Sequence, residues 1–468
     1  RDLHKEYRRQ RQMCIRDRVM NISISKSRRK GTSPLILMAI LTTFLHLFIE
    51  RYRWKMVPSY LLLGLITLIR NRESQKTATI VMSIIWTLSV LLPATVPVVK
   101  LPKPTGPFSI GTAIFNWTDT TRTEWFTKEP DDLRKIMIQL WYPAKNNPGN
   151  KVSPYIDHID LRAQAIGDRV GLPSFMLDHL HLVKTHSLTE ASPIDSKDLL
   201  PLIIFSHGLG GMRNQNTVLM EELASNGYAV AAMDHPYDAN MTIFPSSDGA
   251  SAEKIADFRS AIPEGTSDST WLKIRNRQLD TRIADVLFIL QQLETFDTPL
   301  LSRINFQQIG IAGHSFGGAT AVLSAMQDHR FKAVVALDGW FVPFAIPDAD
   351  AKMDVPFLYL GQMSWKSWNE KRHRHYLDLI LSQSGENAYH LSIEQSKHYD
   401  YADMPLFSPI MRLLGLVGFP DGREMVDIVN RNTLQFFDQF IRGNPTINFS
   451  KLKFPSSIQI RKGSATSS

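Results

Sequence analysis

Cysteine is nearly absent from this sequence of 468 residues, because Cys14 is its only cysteine. Residues 19–468 therefore offer no disulfide, no thiol nucleophile and no thiolate ligand for a metal ion. Motifs that bind metals through other side chains are also missing, since the sequence has no His-Glu-x-x-His motif and no calcium-binding loop. These absences predict an activity that requires neither a metal nor another cofactor.

The first 18 residues form an unusual segment. Residues 13–18 are Met-Cys-Ile-Arg-Asp-Arg, which resembles the translation of an adapter used in sequencing libraries. An ordinary basic tail is the alternative interpretation. We expect residues 1–18 to be foreign to the native protein and no part of its fold.

A basic surface stripe is also absent from the main part of the sequence. The net charge is +8, but residues 1–32 contain eleven Lys and Arg against three acidic residues, which accounts for the whole excess. The remaining sequence is balanced in charge and has no basic stripe interleaved with aromatic residues. This pattern excludes nucleic acid as a partner.

Three apolar runs follow the basic segment, at residues 34–49, 56–69 and 77–99. The third is long enough by itself to cross a bilayer, which takes about 20 residues. We therefore predict a membrane-embedded region of three transmembrane helices within residues 19–100. If all three runs cross the membrane, seven Lys and Arg next to the runs lie on the same side as the N-terminus, and five lie on the other side. The positive-inside rule then predicts a multi-pass membrane protein whose C-terminal domain lies outside the cytoplasm, in a periplasmic or extracellular position.

Proline-rich residues 102–107 form a linker to the rest of the sequence, where apolar runs alternate with amphipathic stretches. This alternation predicts an α/β domain with a mostly parallel sheet covered by helices on both faces. We assign this domain to residues 104–443 and a C-terminal tail to residues 444–468.

Residues 151–198 and 244–272 are polar insertions, which we expect to form a lid or a pocket wall. The predicted strands are residues 134–143, 202–208, 228–234, 309–312, 332–338 and 355–361, and the predicted helices are residues 216–226, 274–293 and 318–326.

A Gly-x-Ser-x-Gly motif lies at the end of one predicted strand. Residues 313–318 are Gly-His-Ser-Phe-Gly-Gly, between the apolar run 308–312 and a helix-forming run at 319–324. A strand, a tight turn and a helix form the nucleophile elbow of α/β-hydrolases, and glycines permit its strained backbone and close packing. The motif predicts that Ser315 is a nucleophile at the N-terminus of a helix whose dipole favours negative charge. A chance match in a glycine-containing loop is the alternative, and the flanking strand and helix argue against it.

A nucleophilic serine needs an acid and a base, which follow it in the order Ser, acid, His in this fold. The predicted strand 332–338 ends at Asp338, on the same rim of the sheet as Ser315. The next strand has no carboxylate at its tip, which favours Asp338 as the acid. We expect three other carboxylates to be solvated loop residues, namely Asp348, Asp350 and Asp354.

Four histidines follow the predicted acid in the sequence. His398 lies in the loop after an apolar strand at residues 388–393, on the rim where a base is needed, and we predict that it is the base. A structural or surface role is the alternative for His398. His390 falls inside that strand, and His373 and His375 lie in a basic helical stretch, so we predict structural or surface roles for these three.

Two backbone N–H groups are expected to stabilise the oxyanion in such an enzyme. One belongs to the residue after the nucleophile, here Phe316, and the other to a loop that follows an early strand. That loop lies in the glycine-rich segment 206–211, and we predict that Leu209 supplies the second N–H. His207 precedes the serine, which is the wrong order for the base, so we expect it to position the loop.

Five blocks of this sequence, in order, resemble one known family over residues 104–440. They are Gly-Pro-Phe-Ser-Ile-Gly at 106–111, Leu-Trp-Tyr-Pro at 140–143, Phe-Ser-His-Gly-Leu-Gly at 205–210, Gly-His-Ser-Phe-Gly-Gly-Ala-Thr at 313–320 and Ala-Leu-Asp-Gly-Trp at 336–340. The family is that of the platelet-activating-factor acetylhydrolases, calcium-independent phospholipases of the A2 type. The resemblance implies metal-independent hydrolysis of short or oxidised sn-2 acyl chains from phospholipids. It also implies Ser315, Asp338 and His398 as the triad, with Leu209 and Phe316 as the oxyanion donors.

Two other functions stay open from the sequence. A broad-specificity carboxylesterase or a cutinase-like polyester hydrolase has the same elbow and triad, and its expected partner is a small ester rather than a phospholipid. A non-catalytic, membrane-bound binding module is the other possibility. A broken triad would indicate such a module, and none of the three positions is missing here.

Overall fold

The computed structural model describes residues 34–50, 52–69, 76–245, 252–363, 365 and 370–463. The protein divides into two compact units, Arg1–Ala94 and Thr95–Ser468. The suspected foreign segment, residues 1–18, lies outside the described residues. The predicted domain boundaries at 104–443 and 444–468 stay predictions.

The described part of the first unit is helical. Its helices are α1 (Pro34–Glu50), α2 (Val57–Ile69) and α3 (Lys76–Thr95), the last of which ends one residue beyond the unit. A 3₁₀ turn at Trp54–Met56 leads into α2. Helices α1 and α2 contact each other, with His46 Nε2 at 2.8 Å from the Tyr60 hydroxyl.

The three helices of this unit correct the prediction made from the apolar runs. With 17 and 13 residues, α1 and α2 are about 25 and 20 Å long, less than the ~30 Å of a bilayer's hydrocarbon core. Helix α3 has 20 residues, but it begins with Lys76, contains Pro93 and has serines and threonines within its apolar stretch. Among the residues that the structure describes, no helix combines the length and the apolar character needed to cross a membrane. The prediction of three transmembrane helices is therefore wrong, and so is the predicted multi-pass membrane location from which the extracytoplasmic placement was derived.

The second unit is built on a large sheet, in which eleven strands can be counted within the described residues. The strands of the protein are β1 (Ser109–Thr123), β2 (Leu133–Ala144), β3 (Val152–Pro154), β4 (Lys184–Thr189), β5 (Leu200–Ser206), β6 (Ala229–Asp234), β7 (Met241–Pro245), β8 (Ala252–Asp257), β9 (Ile304–His314), β10 (Phe331–Leu337), β11 (Phe357–Gln362), β12 (Ala388–Ile393) and β13 (Ile458–Lys462). Their order across the sheet is β13-β12-β11-β10-β9-β5-β6-β2-β1-β4-β3, and β7 pairs with β8 in a separate hairpin. Strands β6, β5, β9, β10, β11 and β12 are parallel to one another, which confirms the predicted mostly parallel sheet.

Helices cover both faces of this sheet. The helices of this unit are α4 (Ile159–Val170), α5 (Thr217–Ser225), α6 (Asp268–Thr295), α7 (Phe316–Gln327), α8 (Glu370–Gln383), α9 (Ile410–Leu413) and α10 (Gly422–Phe440), of which α5, α6, α7, α8 and α10 pack on the sheet. Successive residues of a strand point to opposite faces. In β5, Leu202 and Ile204 pack into the core formed with α6 and α7, whereas Ile203 and Phe205 pack into the core formed with α5 and α10. The two-sided cover is thus as predicted.

The predicted elements of this unit are present, and the insertions have structure of their own. Each of the six predicted strands overlaps one strand among β2, β5, β6, β9, β10 and β11, and the three predicted helices fall on α5, α6 and α7. Residues 151–198 contain β3, α4, two 3₁₀ turns and β4. Residues 244–272 contain the end of β7, then β8 and the start of α6, where the Ser267 side chain caps the helix by accepting a hydrogen bond from the Thr270 N–H.

Candidate active site

Ser315 lies in a sharp turn between the end of β9 and the start of α7. Its backbone has a φ of 58° and a ψ of −120°, a strained combination for a residue with a Cβ. Its N–H donates to the Leu337 carbonyl at 3.0 Å, and its carbonyl accepts from the Trp340 N–H at 2.8 Å. These two bonds hold the turn against the end of β10, so the strain is maintained by the surrounding strand.

Two glycines allow this turn to pack closely. A Cβ added at Gly313 would lie 2.1 Å from the Gly317 carbonyl oxygen, and one added at Gly317 would lie 2.0 Å from the Ser206 carbonyl oxygen. Neither distance is possible for a real Cβ. The close approach of β9, α7 and the end of β5 therefore requires glycine at both positions, as the motif indicated.

The structure brings together the three side chains singled out from the sequence. His398 Nε2 lies 2.8 Å from Ser315 Oγ, and His398 Nδ1 lies 2.7 Å from Asp338 Oδ2. Ser315 follows β9, Asp338 follows β10, and His398 begins a 3₁₀ turn (His398–Tyr401) after β12. Because these strands are parallel, their carboxyl ends meet at one edge of the sheet. We call Ser315, His398 and Asp338 the cavity trio.

Asp338 is fully buried, and its carboxylate accepts hydrogen bonds from neutral donors. The backbone N–H and the side-chain amide of Gln362 donate to its two oxygens at 3.0 and 2.8 Å, and the Tyr359 hydroxyl lies at 3.4 Å. No ion pair with Lys or Arg is present for Asp338 in the described part of the protein. These donors stabilise the buried carboxylate and orient Oδ2 toward the imidazole of His398.

His314 is a residue of the site that the sequence analysis missed. Its ring stacks on the His398 ring with centroids 4.6 Å apart, and its Nε2 lies 3.0 Å from the His398 carbonyl oxygen. Its Nδ1 lies 2.9 Å from Gln215 Nε2, an amide donor, so the proton of the neutral ring must be on Nε2. Burial, and secondarily the nearby His398, lower the pKa of His314 to about 3. His314 is therefore a neutral donor that fixes the backbone of His398, and its place next to Ser315 was the available signal.

The loop after β5, residues 207–211, passes directly beside the serine; we call it the glycine loop. A Cβ added at Gly208 would lie 3.3 Å from Ser315 Cβ, which fixes how closely the two backbones approach. Leu209 follows in this loop and lines the same cavity as Ser315. Phe316 is the first residue of α7, so its N–H has no acceptor within the helix.

A buried arginine holds the glycine loop in place. Arg282, on α6, donates to the His207 carbonyl at 2.7 Å and pairs with Asp238 at 2.7 Å. The Asp238 carbonyl in turn accepts from the Gly210 N–H at 2.8 Å. Sequence reasoning missed Arg282, because nothing local distinguishes it from an exposed basic residue of a helix.

His207 itself also contributes to holding the glycine loop. Its Nδ1 lies 2.6 Å from the Gly208 carbonyl oxygen, and its Nε2 accepts from the His235 N–H at 3.1 Å. Burial, together with the charge of Arg282, lowers the pKa of His207 well below its usual value. The neutral ring therefore helps to hold the loop in position, which is the role expected from its place in the sequence.

A second Ser-His-Asp arrangement lies beneath the first. Ser206 Oγ is 2.9 Å from His235 Nε2, and His235 Nδ1 is 2.9 Å from Asp285 Oδ2. All three residues, which we call the buried trio, are completely inaccessible to solvent. Asp285 also pairs with Arg134 at 2.6 Å. No substrate can reach this serine, so the buried trio is part of the core.

The other residues weighed in the sequence analysis have partners elsewhere. His390 contacts Ser392 and Arg461 at 2.8 Å each, and His373 Nδ1 accepts from the Phe341 N–H at 3.2 Å. The exposed His375 pairs with Asp348 at 2.9 Å, and Asp354 pairs with Lys352 at 3.1 Å. Asp350 lies in a 3₁₀ turn, Asp348–Asp350.

The cavity trio opens on a cavity of about 310 Å³ with a mostly apolar lining. Ser315, His398 and Leu209 lie on its wall, and most of the other lining residues come from the insertion 151–198 and from residues 402–414. The expectation of a pocket wall thus holds for residues 151–198, whereas the described residues of 244–272 do not line this cavity. The apolar lining residues include Ile156, Ile166, Leu172, Met176, Leu177, Leu180, Phe407, Met411 and Leu414.

In the part of the protein that the structure describes, no group of three or more His, Cys, Asp or Glu residues could hold a metal ion. The absence of a metal and of a cofactor in the activity stays a prediction.

Comparison with known proteins identifies the family. The family model for platelet-activating factor acetylhydrolase, isoform II, matches residues 94–446, well over half of the sequence. The chain belongs to this family. The match begins at the boundary between the two units and covers every residue of both trios, and it confirms the resemblance found in the sequence.

Individual members of the platelet-activating factor acetylhydrolase family are distant relatives. A platelet-activating factor acetylhydrolase of Cavia porcellus is 26% identical over 367 residues, which cover 73% of this chain and 78% of the relative. A probable 1-alkyl-2-acetylglycerophosphocholine esterase of Arthroderma benhamiae is 24% identical over 322 residues, covering 65% and 76%. These relationships confirm the predicted enzyme class, a carboxylic ester hydrolase.

A solved structure agrees with this assignment. The ferulic acid esterase from Streptomyces cinnamoneus superimposes with a TM-score of 0.61 at 25% identity, and the match covers 78% of this chain and all of that one. The α/β-hydrolase fold predicted for the second unit is thereby confirmed.

Proposed function

We propose that this acetylhydrolase-family protein hydrolyses short or oxidised sn-2 acyl esters of phospholipids, with Ser315 as nucleophile, His398 as base and Asp338 as acid. The observation that supports the residue roles best is the hydrogen-bonded series from Asp338 through His398 to Ser315, at the wall of an apolar cavity. The names of the relatives, an acetylhydrolase of platelet-activating factor and an esterase of 1-alkyl-2-acetylglycerophosphocholine, support the substrate class.

In this mechanism one proton moves between Ser315 and His398, while the hydrogen bond from His398 to Asp338 keeps its own proton on the imidazole. His398 Nε2 accepts the proton of Ser315 Oγ as the oxygen attacks the ester carbonyl carbon. Asp338 Oδ2 holds Nδ1–H and stabilises the imidazolium that forms. The N–H groups of Leu209 and Phe316 donate to the oxyanion of the tetrahedral intermediate.

The intermediate collapses in two stages. His398 returns the proton to the departing glycerol oxygen, and the acyl group remains on Ser315. Water then attacks the acyl carbon while His398 accepts its proton, and the second collapse releases the carboxylic acid and restores the serine hydroxyl. The neutral His314 supports both stages, because its bond to the His398 carbonyl keeps the imidazole at the serine.

The size of the cavity supports a short acyl group. Its volume of about 310 Å³ is at the lower end of the range for small-molecule sites, roughly 300–1,000 Å³. A long acyl chain would exceed this space. We therefore expect short or truncated phospholipids to be better substrates than long-chain triglycerides.

A broad-specificity carboxylesterase is the second candidate. The observation that favours it is the likeness to the ferulic acid esterase, which extends over the whole of that chain. In that case the apolar cavity would accept many acyl and aryl groups, and the phospholipid headgroup would contribute little to recognition.

A substrate panel on the full chain separates the two candidates. It compares a 1-alkyl-2-acetyl phosphatidylcholine, a long-chain phosphatidylcholine, a long-chain triglyceride and an aryl butyrate. We expect kcat/KM for the 2-acetyl phospholipid to exceed that for the long-chain lipids by about tenfold or more, because misfit in an apolar pocket costs at least this much. Equal kcat/KM values for all four esters would favour the broad carboxylesterase.

A further inference from the structure

The cavity that contains Ser315 has one permanently charged side chain on its wall. Among the described residues, Arg169 is the only Lys, Arg, Asp or Glu that lines it, and most of the other lining residues are apolar. A glycerophospholipid has one phosphodiester anion next to its sn-2 ester, between apolar chains. We infer that Arg169 binds the phosphodiester of the phospholipid substrate, an inference that rests on the proposed function.

The position of Arg169 fits this role. It lies near the end of α4, and its Nη2 donates to the Leu209 carbonyl at 2.9 Å. Its Cζ lies 4.4 Å from the centre of the Phe258 ring, and a Cβ added at Gly210 would lie 2.2 Å from the same atom. The guanidinium is thus held against the glycine loop, on the wall of the cavity that contains Ser315, and glycine at position 210 leaves the space for it. An anion bound there would place the neighbouring sn-2 ester at the nucleophile.

The charge of Arg169 is also not neutralised by the protein. Several buried arginines of this unit pair with a carboxylate, as Arg134 does with Asp285, Arg213 with Asp234 and Arg282 with Asp238. Within the described residues, no Asp or Glu pairs with Arg169. Arg169 is exposed to solvent on the cavity wall, so an anionic ligand can reach its guanidinium, and its planar donors suit the oxygens of a phosphate.

Removal of the positive charge tests this role. The substrates are 1-alkyl-2-acetyl-glycerophosphocholine and 1-alkyl-2-acetylglycerol, which share the scissile ester and differ by the phosphate headgroup. For Arg169→Gln in the full chain, we expect the ratio of kcat/KM for the phospholipid to that for the neutral lipid to fall about 10- to 100-fold, mainly through KM. Arg169→Lys keeps a charge without the planar fork and should restore part of the ratio.

Arg259→Gln is the matched control. Arg259 is also an arginine over an aromatic ring, at 5.0 Å from the centre of Tyr237, but it does not line the cavity. Its loss should leave the ratio unchanged. An equal fall of both kcat/KM values in Arg169→Gln would overturn the inference, because it would indicate a role through Leu209 alone. A wild-type protein inactive on both lipids would overturn the proposed function and this inference with it.

Discussion

The two Ser-His-Asp trios of this protein have nearly the same geometry and very different surroundings. In the cavity trio the two hydrogen bonds measure 2.8 and 2.7 Å, and in the buried trio both measure 2.9 Å. The His398 side chain is 20% exposed and lines the cavity, whereas Ser206, His235 and Asp285 have no exposed surface. Hydrogen-bond geometry alone therefore does not identify a nucleophile, since an ester must also reach it.

The charges around the two trios differ as well. Asp285 pairs with Arg134 and with Arg122. Burial acts to raise the pKa of Asp285, but the charge of Arg134 and the hydrogen bond with His235 outweigh it and lower that pKa. Burial, then the charge of Arg282, lowers the pKa of His235 to about 3. His235 therefore resists protonation, which disfavours the transfer of a proton from Ser206. Asp338 has only neutral donors besides His398, so its charge remains available to stabilise an imidazolium.

The largest expected difference between the trios is in turnover when each serine is removed. Ser315→Ala should lower kcat by about 10³- to 10⁶-fold, because the nucleophile is lost while the oxyanion donors remain. Ser206→Ala should change kcat by less than about tenfold and reduce the free energy of unfolding by about 1–2 kcal/mol, the cost of leaving a buried partner unpaired. Steady-state kinetics and urea unfolding of both variants measure these effects.

The folded state of each serine variant needs its own control. Ser315→Ala should unfold at the same urea concentration as the wild type. An unreduced rate in Ser315→Ala would contradict the proposed nucleophile. A collapse of turnover in a well-folded Ser206→Ala would contradict the structural role of the buried trio.

Replacement of the acid should have a different main effect in each trio. In the buried trio it should mainly reduce stability, and in the cavity trio it should mainly reduce activity. Asp285→Asn leaves Arg134 with one fewer carboxylate in the core, and we expect a loss of about 3–5 kcal/mol in the free energy of unfolding. Asp338→Asn removes no ion pair with Lys or Arg, so its stability loss should be smaller. Its kcat should fall by about 10³- to 10⁴-fold, because the imidazolium is no longer stabilised.

Thermal unfolding and single-turnover kinetics of the two asparagine variants provide the measurement. The comparison fails if Asp338→Asn is the less stable variant or if Asp285→Asn loses activity without losing stability.

The smallest expected effect concerns acid stability. The pKa of His314, beneath the cavity trio, and that of His235, in the buried trio, are both lowered to about 3 from 6.5. Between about pH 6.5 and pH 3 the unfolded state binds more protons at these residues, so their stabilising contribution is complete above pH 6.5 and is lost as pH falls. His314→Gln removes one such group, and its unfolding free energy should drop about 2 kcal/mol less than that of the wild type between pH 7 and pH 5. Identical pH dependence in urea unfolding would contradict this role.

The sequence by itself determined the architecture of the second unit and the three residues of the cavity trio. The alternation of apolar runs with amphipathic stretches predicts a parallel sheet. In such a sheet the carboxyl ends of neighbouring strands lie at one edge. A serine in a Gly-x-Ser-x-Gly turn and an acid and a histidine after later strands therefore had to lie near one another. These inferences depend on local pattern and chain order, which are complete in the sequence.

The apolar runs at residues 34–49, 56–69 and 77–99 illustrate where local pattern is insufficient. Composition correctly predicts helices there, but it does not decide whether those helices can cross a membrane. Helices α1 and α2 are too short, and α3 contains polar residues and Pro93. A run of apolar residues is required for a membrane span, yet it does not fix where the helix begins and ends.

Only the tertiary structure decided which polar residues are buried and what they contact. Nothing in the sequence distinguishes His314, Arg282 and Arg169 from other polar residues. The three residues of the buried trio are separated by up to 79 positions, from Ser206 to Asp285. Their roles depend on whether water or a carboxylate from a distant segment surrounds each group. The energy of a charge or a hydrogen bond depends on that environment far more than on the neighbouring residues of the sequence, because burial replaces solvent by fixed protein dipoles and charges.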